Sequence, residues 1–221
     1  MKKYVNLFVF VFMIGACLSQ GRAQTKSAVS YKNPVVDIAM PDPTVIKAAD
    51  GYFYVYATES TRNVPIMKSK DLVEWTYCNT AFTNKTRPRF EPKAGIWAPD
   101  INYINGKYVL YYAMSVWGGE QTCGIGVATA NSPQGPFTDH GKMLRSNEIG
   151  VQNSIDPSLL QYEGRNYLVW GRFRGIYVIE LTADGLSIMP GAKKKRIAGT
   201  AFEAVYIHKH DDYYYMFYKA L

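Results

Sequence analysis

From Tyr31 onward the apolar positions fall in short runs that alternate with polar residues and are closed by Gly, Pro, Asn or Asp, with no long apolar stripe of helical spacing. The pattern predicts an all-β chain whose unit is a hairpin. Asp42 opens Thr44-Val45-Ile46, Asp50-Gly51 turns, and Tyr52-Phe53-Tyr54-Val55-Tyr56 returns. Asp100 opens Ile101 to Ile104, Asn105-Gly106 turns, and Lys107 to Tyr112 returns. Asp156 opens Ser158-Leu159-Leu160, the turn is Glu163-Gly164, and Asn166 to Trp170 returns. Glu203 opens Ala204 to Ile207, Asp211-Asp212 turns, and Tyr213 to Tyr218 returns. Further strands are expected at Val64–Ser69 and Asp71–Trp75, at Gly124–Ala130 and Phe137–Asp139, and at Gly175–Leu181 and Arg196–Ile197. About four strands per unit, repeated radially, is the make-up of a β-propeller blade.

The opening acidic residues are 58, 56 and 47 positions apart. In a propeller the first strand of each blade lines the central channel, so residues at equivalent points meet around the axis. Carboxylates gathered there repel one another and shift each other's protonation, a cost that a binding or catalytic role would explain. An Asp before a turn also hydrogen-bonds nearby backbone, the simpler reading for any one of them. Repetition at four positions weakens it.

The start of the chain carries a different signal. Lys2 and Lys3 precede the apolar run Leu7–Ile14, which reads as an export segment over residues 1–23 and leaves 24–221 as the partial propeller domain. Gly21-Arg22-Ala23 suits a signal peptidase, whereas Ile14-Gly15-Ala16-Cys17 resembles a lipobox that would lipidate Cys17; both remain open. The expected location is the periplasm, the extracellular medium or, through Cys17, the outer membrane as a lipoprotein. The net charge of +7 falls to +4 if cleavage follows Ala23, too mild and too scattered for a nucleic-acid partner. Lys193-Lys194-Lys195-Arg196, the one dense basic run, reads as a solvated loop or edge strand. An exported Cys78 and Cys123 are free to pair, but no spacing brings them together. His140, His208 and His210 have no zinc-ligand spacing, and no Gly-rich phosphate loop is present.

Taken together, Asp42-Pro43, Ser69-Lys70-Asp71-Leu72-Val73-Glu74-Trp75, Trp97-Ala98-Pro99-Asp100, Ser132-Pro133-Gln134-Gly135-Pro136-Phe137, Ile155-Asp156-Pro157 and Glu203-Ala204 resemble glycoside hydrolase family 43. The resemblance implies a five-bladed propeller, of which about three and a half blades are present, and an enzyme acting on arabinan, xylan or related side chains. It implies Asp42 as the general base that activates water, Glu203 as the general acid, and Asp156 as the residue that tunes and orients the acid. Inverting glycosidases hold such a pair about 6.5–9.5 Å apart, a span that facing blades can supply. Glu203 is expected to keep its proton through burial and the nearby Asp156. Asp100 reads as structural or as a support behind the catalytic residues. Trp97, Phe90, Trp117 and Phe173 are candidate sugar platforms, with core packing as the alternative for each. The Tyr-rich strand 213–218 reads as blade packing.

No cofactor or metal is required, although the resemblance allows calcium in the full-length parent without naming ligands. The expected partner is an oligosaccharide or polysaccharide, and the protein is expected to be a monomer. Within the family the texture leans towards arabinan. A non-catalytic carbohydrate-binding propeller or an inactive fragment is the competing reading, since an incomplete ring leaves an edge unpaired.

Overall fold

The computed structural model describes residues 30–220; the expected export segment, with Cys17 and the Ala23 site, lies outside the described residues. The first sheet contains β1 (Thr44–Lys47), β2 (Phe53–Tyr56), β3 (Pro65–Ser69) and β4 (Thr76–Thr80) in chain order. The second holds β5 (Gly95–Ile104), β6 (Lys107–Ser115), β7 (Gly124–Ala130) and β8 (Thr138–Arg145), and a single helical turn, α1 (Ser146–Ile149), follows it. The third runs β9 (Ser158–Tyr162), β10 (Arg165–Trp170), β11 (Ile176–Glu180) and β12 (Lys195–Ala198). β13 (Phe202–His210) and β14 (Tyr213–Ala220) pair as a fourth, two-stranded sheet. All pairs are antiparallel, and β1 packs near β5, β5 near β9 and β9 near β13. This is the blade order of a propeller, with the first strand of every unit innermost.

The period-2 rule shows why the blades stack. On β6, Tyr108, Leu110 and Tyr112 enter a core shared with Tyr54, Tyr56 and Ile66 of the first sheet and with Phe82 just after it. The alternate residues Val109 and Tyr111 enter a second core with Leu168, Trp170 and Ile179 of the third. Both faces of β6 are therefore dry, and each large side chain removed from water stabilises the fold by about 1.5–3 kcal/mol. The buried tyrosine hydroxyls stay paired: Tyr111 donates to the Gly185 carbonyl at 2.9 Å and Tyr112 to Asp139. Val169, Ile176 and Val205 make a third core between the third and fourth sheets. The residues of β14 are exposed, while Tyr214 packs edge-on against Tyr162 of β9 and Tyr218 against Phe202 of β13.

Two sequence expectations change. Asp71–Trp75 is a turn and the strand begins at Thr76, because the Asp71 carboxylate accepts from the Val73 and Glu74 amides at 2.9 Å and holds the chain in a bend. The equivalent points of the four units are also not 42, 100, 156 and 203. They are Asp42, Ala98, Asp156 and Ala204, which alone among the innermost segments share a left-handed backbone, with φ of 48°, 38°, 56° and 54°. Asp100 lies two positions further along its strand, level with Thr44, Ser158 and Tyr206, and Glu203 lies one position before the turn. Cys78 and Cys123 are free thiols, the first half-buried and the second buried. Lys193–Arg196 is exposed and runs into the edge strand β12, as expected.

Candidate active site

The left-handed residues make the rim of the channel. For a residue with a Cβ this conformation is strained, and it persists where the surroundings enforce it. Here Pro43, Pro99 and Pro157 follow three of the four, and β5 and β13 carry register shifts between Trp97 and Asp100 and between Glu203 and Tyr206. Two adjoining cavities share these four residues. A channel of about 410 Å³ is lined below them by Thr44, Asp100, Ser158 and Tyr206. A cleft of about 500 Å³ opens above them, lined by Thr58, Trp97, Trp117, Arg172, Glu203 and Lys219 among others. Asp42, Asp156 and Glu203 thus come from three different blades into one cleft.

Their surroundings differ. Asp42 is exposed, and its Oδ2 accepts a 2.6 Å hydrogen bond from Thr58 Oγ1. Asp156 is half-buried, and its carboxyl is pushed up to about 7, chiefly by burial, then by the charges of Asp42 and Glu203, with Arg172 and the Ala204 amide opposing. Glu203 is buried and ion-paired twice, with Arg172 Nε 2.5 Å from Oε2 and Lys219 Nζ 2.8 Å from Oε1. Two cations touch the Glu203 carboxylate, contacts that the sequence did not suggest. Arg172 also lies over the Phe173 ring, 4.8 Å from its centre.

Asp100 is tied to the strands around it through both carboxylate oxygens. Its Oδ2 accepts from Asn102 Nδ2 at 2.7 Å and from the Leu159 amide at 2.8 Å, and its Oδ1 from Thr44 Oγ1 at 3.5 Å. One buried carboxyl therefore ties three innermost strands. Burial still raises it to about 6 against those bonds. Calcium needs six to eight oxygen ligands. Both Asp100 oxygens are engaged, and among the described residues no group of three or more His, Cys, Asp or Glu is placed to hold a metal ion.

Of the four aromatic candidates, two line the cleft and a third lies in a pocket beside it. Trp97 is half-buried, and Trp117 is 85% exposed with its ring 5.5 Å from that of Trp97. Phe173 borders a side pocket of about 220 Å³ with Trp97, Trp117 and Arg172. Phe90 does not join them; it stacks on Tyr112 and packs against the core between the first two sheets, which corrects its placement as a sugar platform. Thr58, Arg172 and Lys219 went unrecognised in the sequence, where none has a telling spacing to a carboxylate.

Residues 31–220 match the family described as Glycosyl hydrolases family 43. Over 189 residues the chain is 35% identical to the extracellular endo-α-(1→5)-L-arabinanase 1 of Bacillus subtilis, covering 79% of this chain and 57% of that protein. It is 30% identical over 188 residues to an arabinan endo-1,5-α-L-arabinosidase A of Aspergillus niger, covering 81% and 57%. The chain thus spans little more than half the length of these curated relatives. Among solved structures, native Bacillus subtilis arabinanase superposes with a TM-score of 0.71 at 31% identity, over 81% of this chain and 65% of that one. The Cellvibrio cellulosa α-L-arabinanase complexed with arabinohexaose gives 0.74 at 26% identity, over 83% and 65%.

Proposed function

The chain belongs to glycosyl hydrolases family 43, and on that footing we propose that it carries the reacting groups of an exported, inverting hydrolase that cleaves α-L-arabinofuranosyl linkages of arabinan. The observation that carries this reading is the convergence of Asp42, Asp156 and Glu203 from three blades on one cleft. Asp42, exposed and held through one oxygen, is suited to take a proton from a water that attacks the anomeric carbon. Glu203, buried on the fourth blade, is suited to protonate the leaving oxygen once its contact with the exposed Lys219 opens to admit sugar. Asp156 lies between them electrically, since its carboxyl responds to the charge of both. Arabinan is favoured over xylan because the relatives with 30–35% identity are named for arabinan. Export is supported by the extracellular relative and by the sequence of residues 1–23.

A non-catalytic, glycan-binding propeller is the second reading, and the double ion pair of Glu203 is the observation in its favour, because a general acid has to present a protonated oxygen. Glu203→Gln in the full-length protein separates the two. Reducing-sugar release from arabinan is expected to fall by about 10²–10⁴-fold. Calorimetric affinity for arabino-oligosaccharides is expected to stay within a few-fold. Binding without hydrolysis by the unmutated protein would establish the second reading, and normal turnover by the variant would refute the role of Glu203.

A further inference from the structure

Thr58 stands just beyond the end of β2, and its side chain sits in a directional chain. The Ala98 amide donates to Thr58 Oγ1 at 2.7 Å, so the hydroxyl oxygen is already an acceptor and its single proton points elsewhere. That proton goes to Asp42 Oδ2 at 2.6 Å. The Thr58 backbone grips the same segment, its amide donating to the Pro41 carbonyl at 2.9 Å. The next residue fixes Thr58 in turn. The Glu59 amide donates to the Ile96 carbonyl at 3.1 Å, and its carboxylate accepts from the Ile96 amide at 3.0 Å and pairs with Arg87 through two contacts of 2.6 Å. Glu59 and Arg87 have side chains only 9% and 7% exposed, so this anchor is rigid and shielded from salt.

The third blade is a control built into the molecule. There the Gly171 amide donates to the Ile155 carbonyl at 3.0 Å, repeating the Thr58 to Pro41 bond one residue before Asp156. Gly171 has φ of 128°, and a Cβ on it would meet the Gly175 carbonyl oxygen at 2.3 Å. The backbone bond is therefore kept on both blades, but only the blade of Asp42 adds a hydroxyl beneath the carboxylate.

We infer that Thr58 is a positioning residue for Asp42: it locks one carboxylate oxygen to the second blade through Ala98 and leaves the other facing the cleft for the water it activates. This deepens the proposed function and rests on Asp42 as base. A carboxylate free to rotate would spend much of its time away from the attack geometry, and misplacement of a reacting group by about 1 Å can cost about 100-fold in rate.

The test compares unmutated full-length protein with Thr58→Val, Thr58→Ala, Thr58→Ser and Asp42→Asn on linear arabino-oligosaccharides, recording kcat, KM and Tm. The valine variant keeps the volume and removes the hydroxyl. Its kcat is expected to fall about 10- to 100-fold with KM within twofold and Tm within a few degrees. The serine variant, which retains the hydroxyl, is expected to recover most of the rate. An inactive Asp42→Asn beside a fully active Thr58→Val overturns the inference alone. An active Asp42→Asn overturns the base assignment and this inference with it. A serine variant as slow as valine, or failure of both hydroxyl-free variants to fold, assigns Thr58 a structural role and also overturns it.

Discussion

Asp100 and Asp156 are two aspartates of the innermost strands, and burial is the main cause of the raised carboxyl in each, to about 6 and about 7. What surrounds them is opposite. Asp100 accepts from Thr44, Asn102 and the Leu159 amide, donors that favour its charge and spread it over three strands. Asp156 faces two carboxylates, Asp42 and Glu203, with only Arg172 and one backbone amide in compensation. Asp100 sits within β5, in the channel, and Asp156 sits at the strained residue before β9, on the rim. A buried carboxyl inside a cage of donors holds strands together, whereas one set among other carboxylates is arranged for proton chemistry at some cost to the fold.

Exchanging each for its amide is the strongest way to break that contrast. Asp156→Asn removes the charge that couples Asp42 to Glu203 and relieves repulsion at the rim. Turnover on arabinan is expected to fall by about 100-fold or more, with Tm equal to or above that of the unmutated protein. A variant that loses Tm while keeping its turnover would place Asp156 with Asp100 as a structural residue.

Asp100→Asn is expected to act on stability, with turnover retained while the chain is folded. Its amide nitrogen would point a donor at one of three existing donors, costing about 1–3 kcal/mol. The pH dependence gives the sharper reading. An unfolded aspartate titrates near 3.9, so a folded carboxyl at about 6 binds its proton more tightly than the unfolded one. That contribution to stability is full below about pH 4 and is lost as pH rises through about 6. The loss is on the order of 3 kcal/mol. The amide has no such dependence. Denaturant melts should therefore show the stability difference between variant and unmutated protein moving in the variant's favour by about 3 kcal/mol between pH 4 and pH 7. A gap that stays constant with pH would mean that Asp100 is not the titrating group.

The sequence made Asp42, Asp156 and Glu203 legible because each opens an innermost hairpin in a repeat that recurs along the chain. It misplaced the register of Asp100 because counting residues assumes an unbroken ladder. The irregularities at Ala98-Pro99 and Ala204-Val205 insert a residue that no apolar alternation reveals. The same effect hid Lys219. Continuing the pairing of His210 with Tyr213 without a shift sets Glu203 opposite Ala220, and the shift in β13 moves it opposite Lys219. Arg172 reaches Glu203 across blades, and Thr58 reaches Asp42 from the far end of the same hairpin, so no short motif marks either. Phe90, Trp117 and Phe173 were alike as aromatics in connecting segments, and only the packing of Phe90 on Tyr112 sets it apart as a core residue.

Trp117 offers the smallest change that still distinguishes rim from channel. Its ring is 85% exposed and touches that of Trp97, so removing it opens no cavity in the core. Aromatic pairs contribute about 0.5–1.5 kcal/mol beyond the area they bury, and an exposed pair falls at the lower end. Trp117→Ala is therefore expected to shift Tm by no more than a degree or two. If the ring stacks on a sugar beside Glu203, KM for arabino-oligosaccharides should rise about 3- to 10-fold with kcat nearly unchanged, the mark of binding lost equally from ground and transition states. The pH dependence of stability set by Asp100 should not move at all, because Trp117 borders the cleft and not the channel. A fall in kcat at constant KM would instead put Trp117 in the support of the reacting carboxylates, beside Thr58.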